Sequence, residues 1–140
     1  MTARRGELRS STRGNGHIVV LTEDVQDAIR TSGIRTGQAT LMVVGSTAAL
    51  TTLEYEPGLV EHDLVEALER IAPIDGEYVH EETWHDDNGH SHVRAALIGT
   101  SLALPVVDGR APRGTWQQVV LVDLDTRPRE RTVVLTVVGD

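Results

Sequence analysis

The sequence predicts an α+β domain in which a mainly antiparallel β-sheet of short strands is joined by two principal helices, in one unit over residues 1–140. Strand-like runs outnumber helical ones and do not alternate with them in the regular order of a doubly wound fold. The apolar 39% of the chain is mostly Val, Leu, Ala and Ile, and Phe is absent. Such a core favours strands covered by a few packed helices.

Six strands are predicted, the first from a short run of alternating polar residues and the other five from runs rich in apolar residues. They are Leu8–Thr12, His17–Leu21, Gln38–Gly45, Val93–Ile98, Trp116–Leu124 and Arg131–Val138. Gly14-Asn15-Gly16 and Asp108-Gly109 mark turns between them.

The two helices are placed by their end signals and by their apolar spacing. The first begins at Thr22, which is a typical N-cap residue, and ends at Gly33. The second covers Val60 to Ile71 and is stopped by Pro73. Its apolar positions recur at the spacing of one helical face: Val60, Leu64, Leu68 and Ile71.

Charge and composition exclude several classes of function. The net charge is -8, and all 13 basic residues are Arg, so Schiff-base lysines and a P-loop lysine are absent. An acidic chain also argues against nucleic acid as the main partner. The absence of Cys removes disulfides, thiolate nucleophiles and Cys-based zinc sites. Without a long apolar run or a leader-like N-terminus, we expect no membrane partner and a cytoplasmic location.

Four histidines, His80, His85, His90 and His92, fall within thirteen residues of a polar segment. Imidazole is the commonest metal ligand in proteins. If the strand starting at Val93 extends back to His90, its period of two places His90 and His92 on one face, with His80 arriving across the loop. The alternative is a solvated loop whose imidazoles never meet. His85 is expected on the surface.

Two further stretches could contribute to a site. Gly45 to Ala49 follows a buried strand, and hydroxyls with free backbone N–H groups at a strand end can hold a phosphate. Close packing of two elements explains the same small residues. Glu54 is a candidate acid, base or metal ligand, although an isolated Glu is usually solvated. His17 and His62 are expected to be structural.

Several short motifs together resemble the YjbQ-type family, whose members are described as secondary thiamine-phosphate synthases. In chain order they are Ser32-Gly33-Ile34, Ser46-Thr47-Ala48-Ala49, Glu54, Pro57, Asp63, Tyr78-Val79-His80, Asp87-Asn88-Gly89-His90-Ser91-His92, Gly114-Thr115-Trp116-Gln117 and Pro128-Arg129-Glu130-Arg131. The resemblance runs from about Val20 to Gly139.

The resemblance implies an activity and a site. The activity joins a hydroxymethylpyrimidine diphosphate to a thiazole phosphate and releases pyrophosphate. The resemblance also implies a homotrimer and a divalent metal, zinc or magnesium. The implied catalytic residues are His80, His92 and Glu54, with His80, His92 and His90 as metal ligands. The implied ligand-binding residues are Ser46, Thr47, Asp87, Asn88, Trp116 and Gln117.

Roles within that site follow from side-chain chemistry. Ser46 and Thr47 would donate to phosphate, Trp116 would stack on a ring and Gln117 would hydrogen-bond to it. For Trp116 the alternative is core packing at the start of a strand. Arg129 and Arg131 could bind phosphate or be charged flanks of the last strand.

One departure from the family pattern concerns Gly45, which stands where the family has a histidine. Only His80 and His92 remain of three recurring imidazoles, so Gly45→His is expected to raise metal affinity or activity. Two alternatives therefore stay open. One is a metal-assisted hydrolase of a phosphorylated metabolite. The other is a degenerate, non-catalytic protein that binds a small ligand.

Overall fold

Seven antiparallel strands form two sheets, with four helices around them, in the computed structural model of residues 1–140. The strands are β1 (Thr2–Thr12), β2 (His17–Val20), β3 (Thr36–Val43), β4 (Ala48–Glu54), β5 (Ser101–Val107), β6 (Gln117–Asp123) and β7 (Arg129–Gly139). The helices are α1 (Thr22–Ser32), α2 (Leu64–Ile71), α3 (His80–Trp84) and α4 (Gly89–Ile98), and a π-helical stretch, Gly58–Asp63, leads into α2. The α+β class with antiparallel sheets is confirmed, with two more helices than predicted. No helix is long and apolar enough to cross a membrane.

The strands are ordered β1-β7-β3-β5 in the larger sheet and β2-β6-β4 in the smaller one. The small sheet is covered on both faces, which explains why Val119 to Asp123 of β6 are all buried. Alternate side chains of β6 serve different layers because a strand has a period of two. Val119 and Leu121 enter the core between the sheets, whereas Val120 and Val122 pack with residues of α2 and α4.

The predicted strand Val93–Ile98 is wrong, because these residues belong to helix α4. Beyond Gly89 at its start, the buried positions of α4 are His90, Ser91, Arg94 and Ala95, which is the spacing of a helical face. A short apolar run cannot be assigned to strand or helix by periodicity alone, and two consecutive alanines favour a helix. Strands β4 and β5 were not predicted from the sequence, because both carry small, Thr-rich or Pro-containing segments.

The two predicted helices are confirmed, with one correction at an N-terminus. Gly33 adopts the left-handed conformation at the end of α1, with a φ of 75°. Thr22, however, is not the N-cap, since Leu21 occupies that position without a side-chain bond. The Thr22 hydroxyl instead donates to Gln118 Oε1 at 2.6 Å and accepts the Val119 N–H at 3.0 Å. Thr22 thus ties α1 to β6.

A buried cluster of charged residues joins the ends of the two sheets. Arg131 of β7 donates from Nε to Asp123 Oδ2 at 2.7 Å and from Nη2 to Asp123 Oδ1 at 2.9 Å. The same Nη2 donates to the Thr47 hydroxyl at 2.7 Å, and Thr47 donates to Asp125. Arg129 completes the cluster by donating to Asp125 at 2.9 Å. Two buried carboxylates are therefore balanced by two guanidinium groups, of which that of Arg131 is buried and that of Arg129 is partly exposed.

Asp123 stays ionised despite its burial. Burial by itself would raise its pKa, but hydrogen bonds from Arg131, Thr12 and the Asp125 N–H, together with the Arg131 charge, hold the pKa below its ordinary value. The stability that Asp123 contributes is therefore present above about pH 4, the usual pKa of an unfolded Asp, and is lost as pH falls through the folded pKa.

Asp123→Asn is expected to lower the free energy of unfolding by roughly 3–5 kcal/mol at pH 7, because Arg131 is left buried without its carboxylate. The difference from the parent chain should shrink as pH falls below about 4, because Asp123 then takes up a proton in the unfolded chain before it does so in the folded one. Urea unfolding at pH 7 and pH 3 measures both effects. Asp108→Asn is the control, since Asp108 pairs with Arg35 on the surface and its side chain is 77% exposed. An equal loss in the two variants would contradict the assignment.

Candidate functional site

His80 and His92 form a pair at the outer side of α4. Their ring centroids are 4.4 Å apart, and the ring planes are tilted by 50°. His80 begins α3, and His92 lies in the first turns of α4. The loop between these helices is short, so the chain reverses direction between α3 and α4. The two imidazoles predicted to converge are therefore in contact.

A carboxylate and an amide hold the His80 ring. Its Nε2 lies 3.3 Å from Asp86 Oδ1. The Asn88 amide nitrogen is 3.2 Å from His80 Nε2 and donates to Asp86 Oδ1 at 2.9 Å. Asn88 is buried, whereas the side chain of Asp86 is 43% exposed. Of the two residues predicted from the sequence to bind ligand here, Asn88 orients the pair, and Asp87 is exposed with a φ of 54°.

The approach of α3 to α4 depends on Gly89. A Cβ at Gly89 would lie 2.5 Å from the Tyr78 Cβ, so any side chain would push the two helices apart. The Gly89 N–H, free at the helix N-terminus, donates to Glu81 Oε1 at 2.6 Å. These two contacts bring His80 and His92 together.

His90 is separated from the pair, contrary to the prediction that it shares a face with His92. Residues two apart on a helix point in nearly opposite directions, whereas on a strand they share a face. His90 is buried, and its ring centroid lies 6.3 Å from that of Tyr78. Burial, followed by the charge of Arg94, lowers its pKa below the ordinary value. His90 is therefore a neutral imidazole on the inner face of α4.

The turn from Gly45 to Thr47 is fixed by the buried charged cluster. Ser46 is exposed, whereas the Thr47 hydroxyl is occupied by Arg131 and Asp125. No hydrogen bond joins Ser46 or Thr47 to His80 or His92. Gly45 has a φ of 152°, and a Cβ there would lie 2.7 Å from Arg131 Nη1. Arg131 therefore borders the position where the family pattern has an imidazole.

The remaining predicted residues lie elsewhere on the surface. Glu54 is exposed at the opposite end of β4 from Thr47, about 23 Å away along a strand that rises roughly 3.3 Å per residue. Trp116 is 72% exposed, so core packing is wrong for this residue. Gln117 pairs with Glu54 across the sheet, and its side chain donates to the Thr52 hydroxyl at 2.9 Å.

The side chains of this chain do not form a complete metal centre. No group of three or more His, Asp or Glu residues is arranged to hold a metal ion. The geometry of the pair explains why, because His80 Nε2 is directed at Asp86 and Asn88. Catalytic zinc sites use three protein ligands. Within one chain the residues present therefore supply fewer than three ligands, and a third imidazole from His90 does not arrive.

Asp123 and Asp125 were not predicted from the sequence as functional residues, although the sequence does indicate that Arg131 is buried. Arg131 shares its phase with Val133 and Leu135, which face the core, so the period of two already places it inward. A positive charge at such a position requires a buried partner. Asp123 and Asp125 immediately follow the buried run of β6, where that partner is to be found.

Similarity to known proteins agrees with this architecture. The family model described as UPF0047 protein YjbQ-like matches residues 6–140. A UPF0047 protein of Methanothermobacter thermautotrophicus is 35% identical over 133 residues, covering 95% of this chain and 90% of the relative. UPF0047 protein YjbQ of Escherichia coli is 30% identical over 133 residues, covering 95% and 96%.

Solved structures match over nearly the whole chain. A YbjQ-like protein of unknown function from Sulfolobus solfataricus superposes with a TM-score of 0.91 at 30% identity, covering 99% of both chains. A hypothetical protein from Aeropyrum pernix gives a TM-score of 0.88 at 34% identity, covering 98% of this chain and 99% of the other. Two antiparallel sheets flanked by helices thus form the fold that this chain shares with these proteins.

This chain belongs to the UPF0047, YjbQ-like family.

Substitution of Gly45 is expected to destabilise the fold. Gly45→Ala should lower the free energy of unfolding by about 1–3 kcal/mol, because the φ of 152° is unfavourable for an L-residue and the new Cβ meets Arg131 Nη1. Gly45→His should cost at least as much, so any gain in metal affinity comes with a less stable fold. Thermal unfolding of both variants measures this. Gly114→Ala is the control, since a Cβ there has its nearest neighbour at 3.7 Å. A Gly45→Ala variant as stable as the parent would contradict the expected clash.

Proposed function

We propose that this chain joins a hydroxymethylpyrimidine diphosphate to a thiazole phosphate, with His80 and His92 at the centre of the site. The observation that carries the proposal is the contact between the two rings, at 4.4 Å between centroids. The pair is oriented by a carboxylate and a buried amide, as expected of side chains that must act in a fixed geometry. The family resemblance supplies the substrate class.

The reaction places a simple demand on the protein. The thiazole nitrogen forms a bond to the methylene carbon of the pyrimidine while the bond from that carbon to the diphosphate oxygen breaks. The bonding electrons leave with pyrophosphate, so negative charge grows on the departing group. N–H donors aimed at that group lower the barrier, because they stabilise charge as it develops. His92 and His80 are the donors that we assign, and Ser46 is an exposed hydroxyl for a phosphate.

A divalent cation remains a prediction for the pair. Two imidazoles can contact one cation, but His80 Nε2 is engaged by Asp86 and Asn88 within the chain. No step of the proposed reaction therefore depends on a metal. Titration of the purified chain with Zn²⁺ in a calorimeter, with and without His92→Ala, measures whether the pair binds one.

His92→Gln is expected to reduce the rate of thiamine-phosphate formation by about 10²-fold or more, because one N–H donor to the leaving group is lost. The assay incubates purified protein with both substrates and quantifies thiamine phosphate by fluorescence after oxidation. His62→Gln is the matched control, since His62 is 68% exposed on the surface and pairs only with acidic neighbours.

Three results would decide against the proposal. The first is that the parent chain forms no thiamine phosphate above the uncatalysed rate. Both variants could also lose the same fraction of activity, or His92→Gln could keep full activity. Circular dichroism of each variant separates loss of chemistry from loss of fold.

A second candidate is a non-catalytic protein that binds a phosphorylated ligand. Gly45 favours this alternative, because the position that carries an imidazole in the family pattern has no side chain here. Binding of either substrate without product would support it. The alternative of a metal-assisted hydrolase has less support, because the chain does not assemble three metal ligands.

We also propose that the chain forms a homotrimer through two exposed patches. The outward positions of β3 and β5 carry no charged residue, and they include Met42 and Val107, which are 53% and 51% exposed. On α4, Val93 and Leu97 form a second apolar patch, one helical turn apart and 38% and 61% exposed. A ring of three requires one patch to meet a different patch on the next subunit. The two patches supply such a pair of surfaces.

Light scattering is expected to give a mass of three times the 15.2 kDa chain at micromolar concentration. Met42→Lys should shift the mass toward the monomer, because it buries a charge in an apolar contact. Val79→Lys is the control, since Val79 is 77% exposed and lies outside both patches. A monomer mass for the parent chain would overturn the proposed assembly.

A further inference from the structure

A groove of about 300 Å³ lies between α2 and the outer face of the small sheet. It is on the opposite side of α4 from the His80–His92 pair. Its walls are mostly apolar: Leu64 and Leu68 come from α2, and Val122 and Leu124 from the end of β6 and the residue beyond it. A groove of this size and lining suits a small flat apolar group.

His90 lies where this groove meets a neighbouring cavity. Only 3% of its surface is exposed, and it borders both the groove and a neighbouring cavity. Its Nε2 lies 3.4 Å from the Ser91 hydroxyl, and its Nδ1 has no hydrogen-bond partner within the chain. Every buried side-chain nitrogen and oxygen atom of the chain has a hydrogen-bond partner, so Nδ1 keeps contact with solvent. A donor group of a ligand in the cleft can replace that solvent contact.

The mouth of the groove is acidic. The neighbouring cavity, of about 520 Å³, shares Ile74 and His90 with the groove and is bordered by Asp75, Glu81 and Asp87. Arg94, the nearest cation, is already engaged, since its Nη2 donates to Glu69 at 2.9 Å and its Nε to the Ala72 carbonyl at 2.9 Å. The net charge that an incoming ligand meets is therefore negative.

We propose that this composite cleft binds a small amphipathic amine. The apolar ring of the ligand lies between Leu68 and Leu124, and its ammonium group sits at the acidic mouth, where an N–H donates to His90 Nδ1. Among ligands of the same shape, charge determines the affinity, because the carboxylates at the mouth of the groove attract a cation. A neutral ligand gains only the apolar contacts, and an anion is repelled. The site is independent of the His80–His92 pair and of the reaction proposed for it.

Three indole compounds of similar shape test this proposal: tryptamine, tryptophol and indole-3-acetate. Each is titrated into full-length protein whose Leu, Val and Ile methyl groups carry ¹³C. Tryptamine should shift the methyl resonances of Leu68, Val122 and Leu124 and should bind about two- to fivefold more tightly than tryptophol, the range expected for partly exposed charge pairs. Indole-3-acetate should bind most weakly. Sodium chloride at 0.5 M should reduce the preference for tryptamine.

Two kinds of variant separate the apolar contribution from the charge. Leu64→Trp should fill the groove and abolish binding of all three compounds, whereas Ile71→Trp, at a position of the same helix that is 63% exposed and outside the groove, should not. The double change Asp75→Asn and Asp87→Asn should remove the preference for tryptamine over tryptophol and leave tryptophol binding unchanged. Asn is tolerated at position 87, where φ is 54°.

Several outcomes would overturn the proposal. They are no methyl shifts at millimolar tryptamine, equal affinity for the amine and the acid, or equal loss of binding in Leu64→Trp and Ile71→Trp. His90→Phe keeps a ring and removes the hydrogen bond, so it should weaken tryptamine binding severalfold. Failure of thiamine-phosphate formation would leave all of these measurements unaffected.

Discussion

The ion pair between Arg131 and Asp123 is the constraint on which the rest of the structure depends. Both side chains are buried, so neither charge can be left without its partner. Arg131 belongs to the large sheet and Asp123 to the small one, and satisfying the pair fixes how the two sheet ends meet. Thr47 bonds to Arg131 and Asp125, which sets the turn that precedes β4. The position of the candidate phosphate-facing turn is thus a consequence of charge burial.

The sequence predicts best those elements in which local pattern and tertiary environment agree. Strands β6 and β7 are found because long apolar runs with a clear period leave few alternatives. Helix α4 was wrongly predicted as a strand because the run Val93 to Ile98 is short and mostly apolar, which fits a strand and a helix equally well. The contact that favours the helix involves a residue outside this run. That residue is Glu81, whose carboxylate satisfies the Gly89 N–H across a loop. The apolar pattern of α4 itself does not indicate that this hydrogen bond forms.

In the candidate site, too, the sequence predicts the positions of some residues and not of others. His80 and His92 were predicted to lie close together because each belongs to a motif shared with the family. Their rings are in contact. The separation of His90 depends on one assignment, helix against strand, because that choice decides whether residues two apart share a face. Glu54 and Gln117 were grouped with the histidines by motif alone, yet in one chain they lie at the far end of the small sheet. The order of motifs along the chain does not give the distances between them in the folded protein.

Gly45 shows how a single departure can alter the chemistry of a site without altering the fold. The family pattern has both a histidine at this position and the arginine that corresponds to Arg131. In this chain the two cannot coexist unchanged, because a Cβ at Gly45 would lie 2.7 Å from Arg131 Nη1. Gly45 offers no side chain, and the Arg131 guanidinium beside it can only donate hydrogen bonds, whereas an imidazole can accept a proton or ligate a metal. The Arg131 charge is balanced by Asp123 within the buried cluster. The turn of this chain therefore lacks a possible metal ligand and carries no free positive charge in its place.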